Sequence, residues 1–301
     1  SDQGTLVAEP AVLHRQRLTW IDRQGQRQSL GTAASEIFGF SLSPDARRIA
    51  VSRRDPVSNR FEIWILDALR GTGPRLTSSS SNDHEPLWSP DGTAIAFFRE
   101  PRSIYLKSLA SGGEERRLVD VTQDGTPSSW SPDGRELFYD YNDPVLRGEL
   151  MALSLANPSS PRRLSNSDAY ERQPVVSPDG RRLAYVSDRS GQAEVWVERL
   201  PSSGEVWQVS TGGGWLPVWR ADGRELFYLA ASPGRVMAAP IAAGSTFESG
   251  TPVQLFRAPI EYSGFAATRD GSRFLVGLSE NASAGSLMTI LDWPARLRAA
   301  K

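Results

Sequence analysis

The sequence predicts an all-β fold, a six-bladed β-propeller of four-stranded antiparallel blades. Three observations predict it. A four-residue turn, Ser-Pro-Asp-Gly, stands at 89–92, 131–134 and 177–180. Altered copies stand at Ser43-Pro44-Asp45-Ala46, Arg220-Ala221-Asp222-Gly223, Thr268-Arg269-Asp270-Gly271 and Ser1-Asp2-Gln3-Gly4. Successive copies begin 42, 46, 42, 46, 43 and 48 residues apart, a spacing of one blade per copy. Each later copy also lies between an apolar residue and a short apolar strand, while helix signals are nearly absent.

The turn recurs for a physical reason. Proline presets φ at its second position, aspartate bonds the downstream backbone, and glycine accepts the left-handed conformation that closes it. It is preceded by Leu42, Trp88, Trp130, Val176, Trp219 or Ala267, and followed by segments such as Ile95-Ala96-Phe97-Phe98 and Leu183-Ala184-Tyr185-Val186. The turn therefore joins the first and second strands of each sheet as a hairpin.

The remaining strands follow in order. Third strands are read at Phe61–Asp67, Ile104–Leu109, Leu150–Leu155, Glu194–Val197 and Val236–Ala239. Gly-, Ser- or Pro-rich turns lead to fourth strands at Pro74–Thr77, Arg116–Val119, Pro161–Ser165, Val206–Ser210 and Pro252–Phe256. These outer copies are more polar, as water-facing edges should be. Leu18–Asp22 and Arg27–Leu30 read as third and fourth strands with no full blade before them. The simplest closure completes the last blade with inner strands from the C-terminal part and outer strands from the N-terminal part. Whether 18–22 or 287–292 takes the third place stays open. A seven-bladed ring using Gly4-Thr5-Leu6-Val7 as a second strand is the competing count. The whole chain, 1–301, reads as one propeller domain, with a short helix expected at 294–301.

Composition narrows the function. With 34 basic and 35 acidic residues well mixed, the chain lacks the basic excess of a nucleic-acid binder. No apolar run approaches a membrane span or a signal-peptide core. The absence of cysteine excludes thiolate chemistry and disulfides but places the chain in no compartment. A chain opening on Ser1 is expected to be part of something longer, and a monomer is expected.

The pattern Pro-Leu-Trp-Ser-Pro-Asp-Gly at 86–92, continuing through Phe98, resembles the repeat of TolB-like propellers, as does Ser177–Val186 with Ser187-Asp188-Arg189-Ser190-Gly191. Leu18-Thr19-Trp20-Ile21-Asp22-Arg23-Gln24-Gly25, Trp207–Gly214 and Leu291-Asp292-Trp293 further resemble the C-terminal propeller region of bacterial membrane-anchored Ser/Thr protein kinases. No kinase loop occurs in this sequence. The resemblance implies a WD-repeat-like sensor or scaffold region of a larger signalling protein, extracytoplasmic if that protein is such a kinase, with no kinase activity of its own.

Superposing the repeats on their turns places Phe38, His84, Thr126, Arg172, Trp215 and Ser263 at one position, near the start of each innermost strand. Innermost strands line the central channel, so these residues should ring one mouth. Their types differ from blade to blade where the framework is uniform, as a grafted binding site would. We read Phe38, His84, Glu85, Arg172, Trp215 and Tyr262 as the ligand-binding set for a protein, peptide or small molecule, with Arg172 taking a carboxylate and Trp215 stacking. The bland alternative is a solvated loop ring. No cofactor is expected. Asp83, Glu85 and Glu171 are weak candidates for a divalent cation in the channel, since Asp83 and Glu85 share a face of an extended segment. His84 and His14 cannot make a usual zinc set. A metal-dependent lactonase- or hydrolase-type enzyme is the alternative class. A serine hydrolase is disfavoured, because His84 is the one plausible base, no Gly-x-Ser-x-Gly elbow occurs and no α/β-hydrolase half follows the propeller. The Ser187–Gly191 loop and Trp64, Trp88, Trp130, Trp196 and Trp219 are read as framework.

Overall fold

A computed structural model describes residues 5–8, 15–110, 113–121, 125–143, 147–165, 167–230, 234–242, 244, 246–279 and 288–291. The first strands are β1 (Thr5–Ala8), β2 (Arg15–Asp22) and β3 (Arg27–Ser29). Blade 1 is β4 (Ser35–Leu42), β5 (Arg48–Arg54) and β6 (Phe61–Asp67). Blade 2 is β7 (Asp83–Trp88), β8 (Ala94–Arg99), β9 (Ser103–Ser108) and β10 (Glu115–Asp120). Blade 3 is β11 (Gly125–Trp130), β12 (Glu136–Asp143), β13 (Arg147–Ser154) and β14 (Arg162–Arg163). Blade 4 is β15 (Glu171–Val176), β16 (Arg182–Ser187), β17 (Glu194–Arg199) and β18 (Val206–Gln208). Blade 5 is β19 (Gly214–Trp219), β20 (Glu225–Ala230), β21 (Arg235–Pro240) and β22 (Val253–Arg257). The last described strands are β23 (Ile260–Ala267), β24 (Arg273–Ser279) and β25 (Met288–Leu291).

Each of blades 2 to 5 is an antiparallel meander in chain order. In blade 1 the expected fourth strand is reduced to a single bridge, Trp64 to Arg75. The sixth blade is β23-β24-β2-β3, and the start of β2 also pairs with β4 at Arg15↔Glu36 and Gln16↔Ser35, which joins it to blade 1 in one seven-stranded sheet. Its third place, left open by the sequence, goes to β2, which pairs with β24 from Gln16↔Ser279 to Asp22↔Arg273. β25 pairs instead with β1, Thr5 opposite Leu291, in a separate two-stranded sheet. Thr5–Ala8 is therefore no second strand of a seventh blade. The helix expected at 294–301 lies outside the described residues.

Six apolar clusters among the described residues confirm the count, because one lies at each seam between blades. Ala50 and Ile63 of blade 1 meet Trp88, Ile95 and Phe97 of blade 2. Ala96 and Ile104 meet Trp130 and Leu137 across the next seam, and Phe138 meets Leu183 and Tyr185 across the third. Val195 meets Trp219 and Leu226, Phe227 meets Phe274, and Leu18 and Trp20 meet Ile49 and Leu66. The blades are thus cemented face to face, as the alternation of apolar residues in their strands requires.

The repeated turn is built as its sequence predicts. Ser89 donates to Asp91 Oδ1 at 2.6 Å, and the Ala94 N–H returns to Ser89 Oγ at 3.0 Å. Ser131–Asp133 and Ser177–Asp179 repeat the bond at 2.6 and 2.5 Å. Gly92, Gly134 and Gly180 hold φ of 70–73°. Ala46 adopts φ 55° at the same place in the worn copy, a conformation glycine takes without steric cost. The turns also touch in series, since a Cβ on Gly92 would stand 3.5 Å from Pro44 and one on Gly180 would stand 3.6 Å from Pro132.

Trp20 locks the closure. It is buried, and its indole N–H donates to the Ala68 carbonyl of blade 1 at 2.9 Å. Trp20→Ala is expected to lower stability by about 3–5 kcal/mol through the cavity it leaves. Trp20→Phe should cost only about 1 kcal/mol, the lost hydrogen bond. Urea unfolding followed by circular dichroism checks both.

Candidate functional site

The innermost strands share a defect that aims side chains into the channel. Each pairs with its neighbour through a register shift, at Ile37/Gly39, His84/Leu87, Pro127/Ser129, Arg172/Val175, Trp215/Val218 and Ile260/Phe265. Four residues before the turn stand Gly39, Glu85, Pro127, Gln173, Leu216 and Gly264. Glu85, Gln173, Leu216 and Gly264 hold φ of 48°, 56°, 54° and 80°. Bulges of this kind bend a strand and re-aim a side chain. Here the bulge residues of adjoining blades meet. The Glu85 carboxyl lies against Gly39, Gln173 Oε1 accepts the Leu216 N–H at 2.8 Å, and Leu216 packs on Gly264.

The predicted mouth residues sort into two groups. Phe38 and His84 stack with centroids 4.1 Å apart, and Phe61 adds a second ring at 5.2 Å from His84. Phe38 is exposed, whereas His84 is buried. His84 Nε2 donates to Glu100 Oε1 at 2.9 Å, which leaves Nδ1 buried and without a partner. Arg172 and Trp215 come together across the seam of blades 4 and 5, the guanidinium carbon 4.1 Å from the indole centroid. Tyr170 flanks the same guanidinium at 5.2 Å. Trp215 therefore holds Arg172 rather than presenting a bare ring. Arg172 is half-buried, and burial lowers its pKa. Its Nε has no hydrogen-bond partner among the described residues. Tyr262 lies in β23, and its side chain is outside the described residues.

The three carboxylates expected to face the channel together are dispersed. Asp83 is fully buried and bound by Arg99 through Nε at 2.6 Å and Nη2 at 3.0 Å. Glu171 is buried and bound by Arg189 Nη2 at 2.6 Å. Only Glu85 stays with the channel, because its left-handed backbone breaks the alternation that would have given it a face in common with Asp83. Among the described residues no three His, Asp or Glu side chains stand together as metal ligands. Arg189 and Asp188 of the Ser187–Gly191 loop serve the framework, Asp188 accepting the Tyr170 N–H at 2.8 Å.

The residue missed by sequence reasoning is Asp140, on β12. It is buried, accepts from Ser128 Oγ at 3.1 Å and from the Gln173 backbone N–H, and lies near Arg172 and Glu85. The signal was one acid interrupting the apolar run Leu137-Phe138-Tyr139. Burial pushes Asp140 up to about 6 despite Arg172. Burial, then the Asp140 charge, pushes Glu85 up to about 8. Glu85 keeps some exposed surface, yet loss of hydration is the larger cause of its shift, so its carboxyl holds its proton near neutrality.

Grooves also lie away from the mouth. One of about 710 Å³ sits between the turns of blades 3 and 4 over Phe138, Val176 and Leu200, on the rim opposite the mouth. Another of about 570 Å³ lies beside Trp64 and Arg53 at the closing seam.

Fold and mouth together define a propeller with a polar, partly unpaired channel opening. Residues 98–249 match the TolB beta propeller domain, and the chain belongs to that family. It is 30% identical over 205 residues to uncharacterized protein Atu1656 of Agrobacterium fabrum, a match covering 62% of this chain and 68% of that protein. It is 26% identical over 207 residues to the uncharacterized peptidase YuxL of Bacillus subtilis, covering 62% of this chain but only 29% of that protein's length. The solved structure of a putative TolB from Agrobacterium tumefaciens superposes with a TM-score of 0.72 at 18% identity, over 89% of this chain and 99% of that one.

Two outcomes follow. Asp83→Ala is expected to destabilise the fold by about 3 kcal/mol, because it strands the Arg99 charge, which Glu115 alone then holds. Urea midpoints with and without divalent cations check this, a cation-independent loss being expected. Second, the raised Glu85 makes the folded state hold a proton that the unfolded chain releases above about 4.5. Stability from this proton is complete below that pH and is lost as pH rises toward about 8. Urea midpoints should fall across that interval, and Glu85→Gln should flatten the fall.

Proposed function

We propose that this chain is a non-enzymatic binding propeller that receives a carboxylate-bearing protein, peptide or small molecule at its channel mouth. One observation carries the reading: Arg172 is half-buried, stacked on Trp215 and without an ion pair among the described residues. A guanidinium so placed has lost hydration, and Asp140 and Asp188 act on it from nearby without forming an ion pair, which leaves its fork free for an incoming anion. Trp215 and Tyr170 fix its direction, so the ligand meets a preformed fork. The remaining acids of the mouth favour binding over hydrolysis, because Asp83 and Glu171 are consumed by Arg99 and Arg189.

We further propose that the propeller is the sensor or scaffold region of a larger bacterial signalling protein such as a Ser/Thr kinase, working outside the cytoplasm. The Leu18–Gly25 and Trp207–Gly214 segments support this. The mixed surface charge disfavours nucleic acid as partner. Among the described residues no helix is long and apolar enough to cross a membrane.

A calorimetric screen against N-acetylated acidic peptides and small organic acids tests the reading. A binder is expected to lose at least about tenfold in affinity in Arg172→Ala. Trp215→Ala should lose nearly as much, by releasing the guanidinium. Undiminished binding in the Arg172→Ala/Trp215→Ala double variant overturns the placement.

A further inference from the structure

The ring of bulge residues contains one charged member. Gly39, Pro127, Gln173, Leu216 and Gly264 carry none, and Glu85 is the exception. Glu85 is a non-glycine residue held in the left-handed region, where strain concentrates at functional sites. No donor among the described residues reaches its carboxylate, although both neighbouring acids of the region are satisfied: Asp140 by Ser128 and the Gln173 N–H, Glu100 by His84 and Asn82. Two blades further on stands the unpaired Arg172. Asp140 lies between them and acts on both. The mouth thus offers an unpaired carboxylate and an unpaired guanidinium, fixed on strands of blades 2 and 4.

We propose that this mouth takes a ligand carrying both an ammonium and a carboxylate group, the ammonium against Glu85 and the carboxylate against Arg172. The proposal rests on the binding reading above and deepens it. An ammonium is the group that Glu85 lacks. With Asp140 beside it and no cation in contact, the Glu85 carboxyl carries a proton near neutrality. The groups facing it from the packed strands are Asp140 on β12 and, beyond it, Arg172 on β15, with uncharged Gly39, Gln173 and Leu216 around the rest of the ring. An incoming ammonium replaces that proton, which passes to the buffer, and leaves an ion pair in a poorly hydrated channel. A free amino acid and a short linear peptide with both termini free share this chemistry, and length separates them.

The test is calorimetry on the full chain with glycine, diglycine and triglycine, and with N-acetyldiglycine and diglycinamide as singly capped controls. At least one uncapped ligand is expected to bind, and capping either end should weaken it by at least about tenfold. Glu85→Gln should erase the penalty for acetylation, and Arg172→Ala, with Arg172→Lys as the milder variant, the penalty for amidation. Binding of the uncapped ligand near neutrality should release a proton, seen as a heat that varies with the buffer's ionisation enthalpy, and Glu85→Gln should abolish that variation. Stronger binding of triglycine assigns a peptide, and stronger binding of glycine assigns a free amino acid. Capped ligands binding as well as uncapped ones, or no uncapped ligand binding, overturn the proposal. If N-acetyldiglycine still binds through Arg172 and Glu85→Gln changes nothing, the ammonium site falls while the carboxylate-binding reading stands.

Discussion

Everything in this ring depends on the antiparallel pairing of β2 with β24. A blade presents two apolar faces, and each must be covered by a neighbour or meet water. Five blades in a row would leave two such faces bare and strand edges unpaired. The seven residue pairs from Gln16↔Ser279 to Asp22↔Arg273 finish the sixth blade and cover both faces at once. Leu18 and Trp20 then seal against blade 1, while Ile21 on the other side seals against blade 5. Ion pairs stitch the same junction, Arg23 binding Glu225 at 2.7 and 2.9 Å, and Glu225 also held by Arg220 at 2.7 Å. Because the closing strand comes from far along the chain, the ring is set by long-range contacts, and the channel geometry is available only once it has closed.

Closure forces the inner strands to crowd around an axis, and the bulges relieve that crowding. Extra residues, one in each of the first five inner strands and three in β23, bend these strands and turn side chains toward the centre. Glycine or proline fills the position in three blades, and glutamate, glutamine and leucine fill it in the others. The bulge row is therefore both a structural device and the place where the blades differ chemically. Gln173 shows the overlap, since its side-chain carbonyl satisfies the Leu216 N–H while its own N–H satisfies Asp140.

Charge is distributed along the same division. Inside the blades, Asp83 is neutralised by Arg99, Glu171 by Arg189 and Glu62 by Arg75. These pairs leave nothing for a ligand to gain. At the mouth the pairing stops. Arg172 leans on an aromatic ring, Glu85 faces the channel, and His84 keeps one nitrogen unused. An unpaired guanidinium and a carboxyl without a donor therefore share one opening, and this juxtaposition, more than any single residue, locates the candidate site.

The sequence by itself determined whatever is local or repeated. The Ser-Pro-Asp-Gly turn needs only φ preferences and hydrogen bonds within six residues, so its positions predicted the blade period and the hairpins, while the choice of six blades over seven waited on the pairing of β1 with β25. Superposing copies also placed Phe38, His84, Arg172 and Trp215 on one row, because a row follows from period alone. Tertiary structure decided what depends on partners far along the chain. Whether residues 15–22 or 288–291 joined β24 turned on which could bury its apolar side between blades 6 and 1. Asp83 and Glu85 were expected on one face because alternation assumes an extended strand; a left-handed bulge at Glu85 sent one into an ion pair and the other into the channel. Asp140 was silent for the same reason. On β12 it reads as an isolated acid in an apolar strand, and only the closed ring brings it beside Glu85 and Arg172, where burial and neighbouring charge give it meaning.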